Sequence, residues 1–282
     1  MLKQRVITAV VLLAILLPAL FYPSYVPFCA ITLVLISAGG WEWGRLNGCS
    51  QSLSALVGLA CLLACLMSWD AGLLTQSLPW LWSATGAVWV LAGGWLLRSG
   101  VSGWPQIPKP LRLVVGALAI WLAWLALAQA RVIGVNFLLS VMVLVWVADI
   151  GAYFSGKNFG SRFTKTKLAA AISPGKSWEG VWGGMVCVLL LALGWTWLDH
   201  SGATHVLSIY SSLLSRHGWA VMLIAVIFLS AMSVVGDLVE SLVKRSAGAK
   251  DSSGLLPGHG GVLDRVDALL PTLPLALMLA SL

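Results

Sequence analysis

Between Ser233 and Asp267 the chain reads SVVGDLVESLVKRSAGAKDSSGLLPGHGGVLDRVD, where carboxylates, cations and glycines alternate at short spacing. Asp237, Glu240, Ser241 and Lys244 are separated by three, one and three residues, which puts them on one face of a helix. Arg245 follows, then Lys250-Asp251, a Ser-Ser-Gly stretch, and a Pro257-Gly258 turn leading into His259-Gly260-Gly261. Three glycines around a histidine permit positive φ and a close backbone approach to a ligand. Asp264 and Asp267 stand one turn apart with Arg265 between them and open a final helix. Carboxylates alone would point to a metal, and cations alone to lipid headgroups. Carboxylates able to hold Mg²⁺, interleaved with Lys and Arg able to hold phosphates, are the parts of phosphoryl or nucleotidyl transfer. An amphipathic loop pairing its own charges would use similar residues, and the helix dipole accounts for two acids at a helix start. The glycine–histidine turn has no equally simple structural explanation.

A second polar segment runs from Asp149 to Gly180. Asp149 ends an otherwise apolar run, and an ionisable residue there is a functional candidate because hydrocarbon penalises it; a hydrated acid level with the headgroups is the competing reading. Further on, Ser173-Pro174-Gly175-Lys176-Ser177-Trp178-Glu179-Gly180 has the composition of a phosphate loop without the GxxxxGK[ST] spacing. Its Pro-Gly pair would let backbone N–H groups, Lys176 and both hydroxyls converge on an anion. Elsewhere the signal is weak. Trp41-Glu42-Trp43 with Arg45 reads as an interfacial turn, Ser99–Pro110 as a loop, and Asp199 as a solvated charge on the far side.

These segments hang from a membrane scaffold. Apolar residues make up 59% of the chain and charged residues 10%, too few to cover an aqueous surface of this size. Sixteen Trp residues suit the headgroup level of a bilayer. Stretches without Asp, Glu, Lys or Arg mark nine candidate helices, beginning with two in Val6–Trp41 that are divided at Tyr22-Pro23-Ser24. Then come Leu46–Trp69, Ala71–Leu97, Leu113–Ala130, Val132–Ala148, Gly180–Leu198, His217–Gly236 and Ala268–Leu282. The last would reach only about 22 Å, which makes a count of eight spans the alternative. Lys3 and Arg5 before an apolar run resemble a signal peptide, but no small-residue cleavage site follows, so a retained helix is expected.

With the N-terminus cytoplasmic, fifteen Lys and Arg residues fall inside and two, Arg131 and Arg216, outside. The formal charge of +7 is accounted for by this bias, and no basic stripe interleaved with aromatics suggests nucleic acid. Cys29, Cys49, Cys61, Cys65 and Cys187 contain no CxxC pair and are expected to be packing thiols. The fold expected is all-α: one polytopic membrane domain, with residues 1–148 as scaffold and 149–282 carrying both polar segments.

At Ser241, Val243, Lys244-Arg245, Lys250-Asp251, His259-Gly260-Gly261, Val262, Asp264-Arg265, Val266 and Asp267 the sequence resembles the phosphatidate cytidylyltransferases, without departure from their signature. Gly236-Asp237 and the Ser173–Gly180 element also resemble family features, whereas the resemblance before Asp149 is architectural only. It implies transfer of CMP from CTP to phosphatidic acid, giving CDP-diacylglycerol and pyrophosphate, by a homodimer in a bacterial inner membrane. No side-chain nucleophile is required. Mg²⁺ and cationic side chains would screen the attacking phosphate and the leaving pyrophosphate. On that reading Asp237, Asp264 and Asp267 hold Mg²⁺, with Asp251 a further member. Lys244, Arg245, Lys250 and Arg265 hold phosphates; Ser173, Lys176, Ser177, Glu179 and Ser241 complete the pocket. His259 either positions or protonates a phosphate oxygen or stabilises its turn. Two rivals are a nucleotidyltransferase acting on another lipid phosphate, and a transporter with Asp149 on its ion path.

Overall fold

The computed structural model describes residues 2–202 and 205–282. It is helical: α1 (Leu2–Phe21), α2 (Val26–Leu46), α3 (Gln51–Asp70), α4 (Pro79–Gly103), α5 (Lys109–Ile133), α6 (Val135–Phe159), α7 (Trp178–His200), α8 (Ile209–Ser246), α9 (Leu263–Val266) and α10 (Leu269–Ala280). Among the described residues, eight helices are long and apolar enough to cross a membrane. Every charge-free run but the last coincides with one of them, and most of the helices extend further, because charged residues ride on their ends.

Two helices depart from expectation in ways that matter for the site. The run expected to begin at His217 belongs to α8, which starts at Ile209 behind an N-cap, Ser208, and breaks at Gly218 with φ of 79°. Beyond that break α8 rises roughly 42 Å at ~1.5 Å per residue, more than the ~30 Å of hydrocarbon. Its last turns, carrying Asp237 to Lys244, therefore project past the apolar layer. The final run forms the twelve-residue α10, about 18 Å long and too short to span. It stays inside the protein, where α4, α5 and α8 enclose it and Leu269 through Leu277 are buried. Eight spans, not nine, is the outcome.

Close helix pairs are made by small residues, since lipid offers no hydrophobic drive for helices to associate. A Cβ on Gly184 of α7 would sit 2.6 Å from the Ala148 carbonyl of α6, and one on Gly180 would sit 2.8 Å from that of Ala152. The α2–α3 pair is built alike: a Cβ on Gly40 would lie 2.9 Å from Cys61 Sγ and 3.0 Å from Gly58 Cα. All five cysteines are free thiols.

Arg131 donates through Nε and Nη2 to the Leu20 and Tyr22 carbonyls at 3.0 and 2.5 Å, and Arg216 donates to the Ala280 carbonyl at 2.7 Å. Both mark the end of the bundle opposite the polar segments, as the charge division requires; the side chain of Lys3 lies outside the described residues. Three sequence expectations fail. Ser99–Pro110 is not a loop: α4 continues to Gly103 across a break at Gly100, a 3-10 turn covers Trp104–Gln106, and α5 begins at Lys109. Trp41-Glu42-Trp43 is not a turn: it lies within α2, and Glu42 is completely buried. Asp199 is not solvated either. It is buried and accepts hydrogen bonds from Asn136 Nδ2 at 2.9 Å, Ser208 N at 3.0 Å, Ser208 Oγ at 2.5 Å and Ser211 Oγ at 2.6 Å.

Candidate active site

The projecting end of α8 meets the second polar segment through one ion pair, Lys176 Nζ to Asp237 Oδ2 at 2.5 Å. Ser241 donates to the other oxygen, Oδ1, at 3.2 Å. Lys176 is brought there because α7 is pressed onto α6 and begins at Ser177, whose Oγ accepts the Gly180 N–H as an N-cap. Around the pair lies a cavity of about 380 Å³, with Asp149, Tyr153 and Lys157 on α6 facing Lys176, Ser177 and Asp237.

Asp267 reaches the same place from the other side. A Cβ on Gly236 would sit 2.6 Å from the Asp267 carbonyl and 2.8 Å from Pro271 Cδ, so only glycine lets α8 pack this closely on the start of α10. That approach sets Asp267 beside Asp237. Burial, and after it the Asp237 charge, push the Asp267 carboxyl above the usual carboxylate range; Asp149 adds to the repulsion. Its Oδ1 accepts from the Ala268 N–H at 2.7 Å.

Asp264 is held differently. Lys244 Nζ lies between Glu240 and Asp264 Oδ1, the latter at 2.6 Å. Asp264 Oδ2 accepts from Ser252 N at 2.8 Å, Gly261 N at 2.7 Å and Ser252 Oγ at 2.9 Å. Burial alone would raise this carboxyl, but the Lys244 hydrogen bond and the Gly261 and Ser252 N–H groups outweigh it and hold it below the usual range. The loop between is a tight turn: His259 N donates to the Leu256 carbonyl at 2.8 Å across Pro257-Gly258, where Gly258 has φ of 77°. Gly260 also has positive φ, 83°, and a Cβ there would meet Asp264 Oδ2 at 2.7 Å. The His259 carbonyl accepts from Arg265 Nε and Nη2 at 3.1 and 2.7 Å, while its buried ring Nδ1 has no hydrogen-bond partner.

The residues singled out in the sequence therefore separate. Lys176, Ser177 and Asp237 line the cavity, with Asp267 against Asp237 and Ser241 behind it. Lys244 and Asp264 form a neighbouring buried pair. Glu179 turns away, accepting from Phe163 N, Thr164 N and Thr164 Oγ, and so pins the loop after α6. Ser173 contributes its N–H to the Ala169 carbonyl in a turn. Arg245 donates to the Ile172 and Ala249 carbonyls and is exposed; Lys250, Asp251 and Arg265 lie on the same exposed rim. Sequence reasoning missed Tyr153 and Lys157, whose i, i+4, i+8 spacing from Asp149 would have found them. It also dismissed Glu42, the one carboxylate inside an early apolar helix, a signal that should have been read as costly and purposeful.

An apolar helix bundle with a pocket of acids and lysines at one end defines a multi-pass membrane protein with a charged site at its polar end. Residues 3–282 match the model of the Cytidylyltransferase family, and the chain belongs to that family. It is 42% identical to the phosphatidate cytidylyltransferase of Pseudomonas aeruginosa, across 97% of this chain and 95% of that one. Identity to the Haemophilus influenzae phosphatidate cytidylyltransferase is 37%, across 97% and 96% of the two chains. To that of Brucella melitensis it is 35%, across 95% and 89%.

Proposed function

We propose that this protein transfers CMP from CTP to phosphatidic acid, forming CDP-diacylglycerol and pyrophosphate, at the cavity between α6, α7 and α8. The observation that carries the reading is the Lys176–Asp237 pair in a cavity that also holds Asp149 and Lys157, with Asp267 crowded against Asp237. A phosphatidate oxygen attacking the α-phosphorus of CTP meets concentrated negative charge. Lys176 and Lys157 supply fixed positive charge at that point. Asp237, held by Lys176 and Ser241, keeps a defined orientation. Because the site stands where α8 leaves the apolar layer, a nucleotide from water and a phosphate at the lipid interface can meet there.

Mg²⁺ belongs to the same proposal. Among the described residues no three His, Cys, Asp or Glu side chains form a ready-made metal cage. Mg²⁺ seldom needs one: it is usually held by one or two carboxylates together with substrate phosphates and water. The crowding of Asp237 and Asp267 is the kind of repulsion a divalent cation relieves, whereas Asp264 is already held by Lys244 in the neighbouring buried pair. When bound, the ion would screen the phosphates and the leaving pyrophosphate. Asp251 stays on the exposed rim, outside this group.

The test is direct. Purified protein supplied with Mg²⁺, labelled CTP and solubilised phosphatidate should yield a CDP-lipid and pyrophosphate, and chelation should abolish both. No labelled lipid from wild-type protein, or full turnover in excess EDTA, would remove respectively the reaction or the metal. The proposal also places the polar end in the cytoplasm of a bacterial inner membrane and the protein in a homodimer. In a variant lacking Cys49 and Cys187, an impermeant reagent should label Ser161→Cys only from the cytoplasmic face and Ser201→Cys only from the other. Cross-linking in native vesicles should trap a dimer.

A further inference from the structure

Glu42 is a buried carboxylate on α2, far in sequence from every other site residue, with 0% exposure. Its Oε1 accepts from Ser253 Oγ at 2.5 Å and Val262 N at 2.9 Å; Oε2 accepts from Leu263 N at 2.8 Å and Ser252 Oγ at 3.1 Å. All four donors lie in the stretch from Ser252 to Leu263, and α9, which begins at Leu263, carries Asp264 and leads directly to Asp267. A carboxylate this deep is tolerated only when its lone pairs are filled, and this one is filled entirely by the segment bearing the acids.

We propose that Glu42 is a positioning residue for the reaction: from α2 it grips the first N–H groups of α9 and thereby fixes Asp264 on Lys244 and, just beyond it, Asp267 beside Asp237. The proposal rests on the function set out above. The seat is built for the purpose. A Cβ on Gly261 would fall 2.3 Å from Glu42 Oε1 and 2.1 Å from Ser252 Oγ, so the second glycine after His259 is the space the carboxylate occupies. A Cβ on Gly39, one turn earlier on α2, would touch Leu263 Cδ2 at 3.3 Å, so α9 lies directly on α2. The far side of the loop is held by α1, where Thr8 Oγ1 donates to the Pro257 carbonyl at 2.9 Å. Ser252 ties the two carboxylates together, its hydroxyl lying within hydrogen-bond reach of both Glu42 and Asp264.

A charged carboxylate suits this place, because free N–H groups at a helix start attract negative charge. Glutamine keeps the shape but loses one acceptor and sets an N–H₂ group against N–H and O–H donors. Glu42→Gln should thus loosen α9 without emptying the pocket. Displacement of catalytic groups by about 1 Å is enough to lower turnover ~10²-fold.

The experiment compares full-length wild type, Glu42→Gln, Glu42→Asp and Ser253→Ala, with Asp70→Asn, exposed at the end of α3, as control. Hydrogen exchange of residues 252–267 is followed without substrate, and kcat, the KM for CTP and the Mg²⁺ dependence are measured per folded molecule. Glu42→Gln should speed exchange in that segment tenfold or more and cut kcat about 10²-fold, with the CTP KM within about threefold. Glu42→Asp, which keeps the charge, should recover part of kcat. Should Glu42→Gln fail to accumulate, Ser253→Ala removes one grip from the loop side and should shift exchange and kcat in the same direction. A lower melting temperature with unchanged kcat and unchanged exchange at 252–267 would overturn the proposal, leaving Glu42 as packing only. The exchange arm uses no substrate, so it judges the grip even if wild type makes no CDP-lipid, a result that would instead remove the function.

Discussion

The two ends of the bundle each draw an aspartate inward, Asp199 buried and Asp267 half-buried, and they treat it in opposite ways. At one end Asp199 accepts, among the described residues, from neutral donors: two serine hydroxyls, one backbone N–H and one amide from Asn136, whose own oxygen accepts from Trp195 Nε1 at 2.9 Å. At the other end Asp267 faces Asp237 and Asp149, with one backbone N–H of its own. Neutral donors satisfy a carboxylate where it stands, and the result ties α6, α7 and α8 together. Facing acids do not satisfy one another; the charge of Asp237 raises the cost of ionising Asp267, which a cation would relieve. Burial alone therefore does not distinguish structure from chemistry. The sign of what surrounds the acid does.

Substitutions with asparagine break the comparison at its sharpest point. Asp237→Asn and Asp267→Asn keep shape and remove a charge that the proposed Mg²⁺ and phosphates require. Each should lower turnover by roughly 10²-fold or more, with melting temperature unchanged or, for Asp267, slightly raised as repulsion is relieved. Titrating Mg²⁺ against specific activity is the measurement. Partial rescue by high metal supports the assignment, and a wild-type profile in both variants refutes it.

A smaller effect belongs to the cation on the same cavity. Lys176→Met deletes the ammonium that holds Asp237 and faces the pocket, and turnover should fall about tenfold to a hundredfold, as for loss of one charge-stabilising group. Lys244→Met should behave otherwise. It leaves Glu240 and Asp264 buried and facing each other, so loss of folded protein should accompany any loss of turnover. Thermal unfolding measured beside steady-state kinetics separates the two lysines; matching losses of stability in both would erase the distinction.

Much of this was legible in the sequence, for reasons that can be named. Charge-free runs located every membrane helix because hydrocarbon excludes charge, and the Asp237–Lys244 spacing gave the correct helix face, with Ser241 reaching back to Asp237. Gly258 and Gly260 adopt the positive φ that their residue type allows, while Gly261 does not. What stayed hidden depended on contacts between distant segments. Glu42 and Leu263 are paired across 221 residues, and nothing local to Trp41-Glu42-Trp43 announces a partner. Likewise, Glu179 and Ser177 have phosphate-loop composition yet serve to pin and cap the ends of α6 and α7, because a helix start and an anion site call for the same residues. Spacing could not divide Asp264 from Asp267 either. Only the fold shows that one is clasped by N–H groups and the other crowded by acids.

The smallest effect on chemistry is expected at the far end, where it tests the comparison from the other side. Asp199→Asn keeps volume and one carbonyl oxygen, but its new N–H₂ group must face donors where Oδ2 accepted from Ser208 N, Ser208 Oγ and Ser211 Oγ. Both serine hydroxyls can rotate to become acceptors; the Ser208 N–H cannot, and it is left buried without a partner. Such a group costs about 1–3 kcal/mol, which should appear as a lower melting temperature and a smaller yield of folded protein. Turnover per folded molecule and the Mg²⁺ dependence should match wild type, since the cluster stands a membrane's thickness from the cavity. If instead Asp199→Asn lowered kcat with stability intact, the division drawn here between satisfied and crowded acids would fail, and the far cluster would have to be counted as part of the working site.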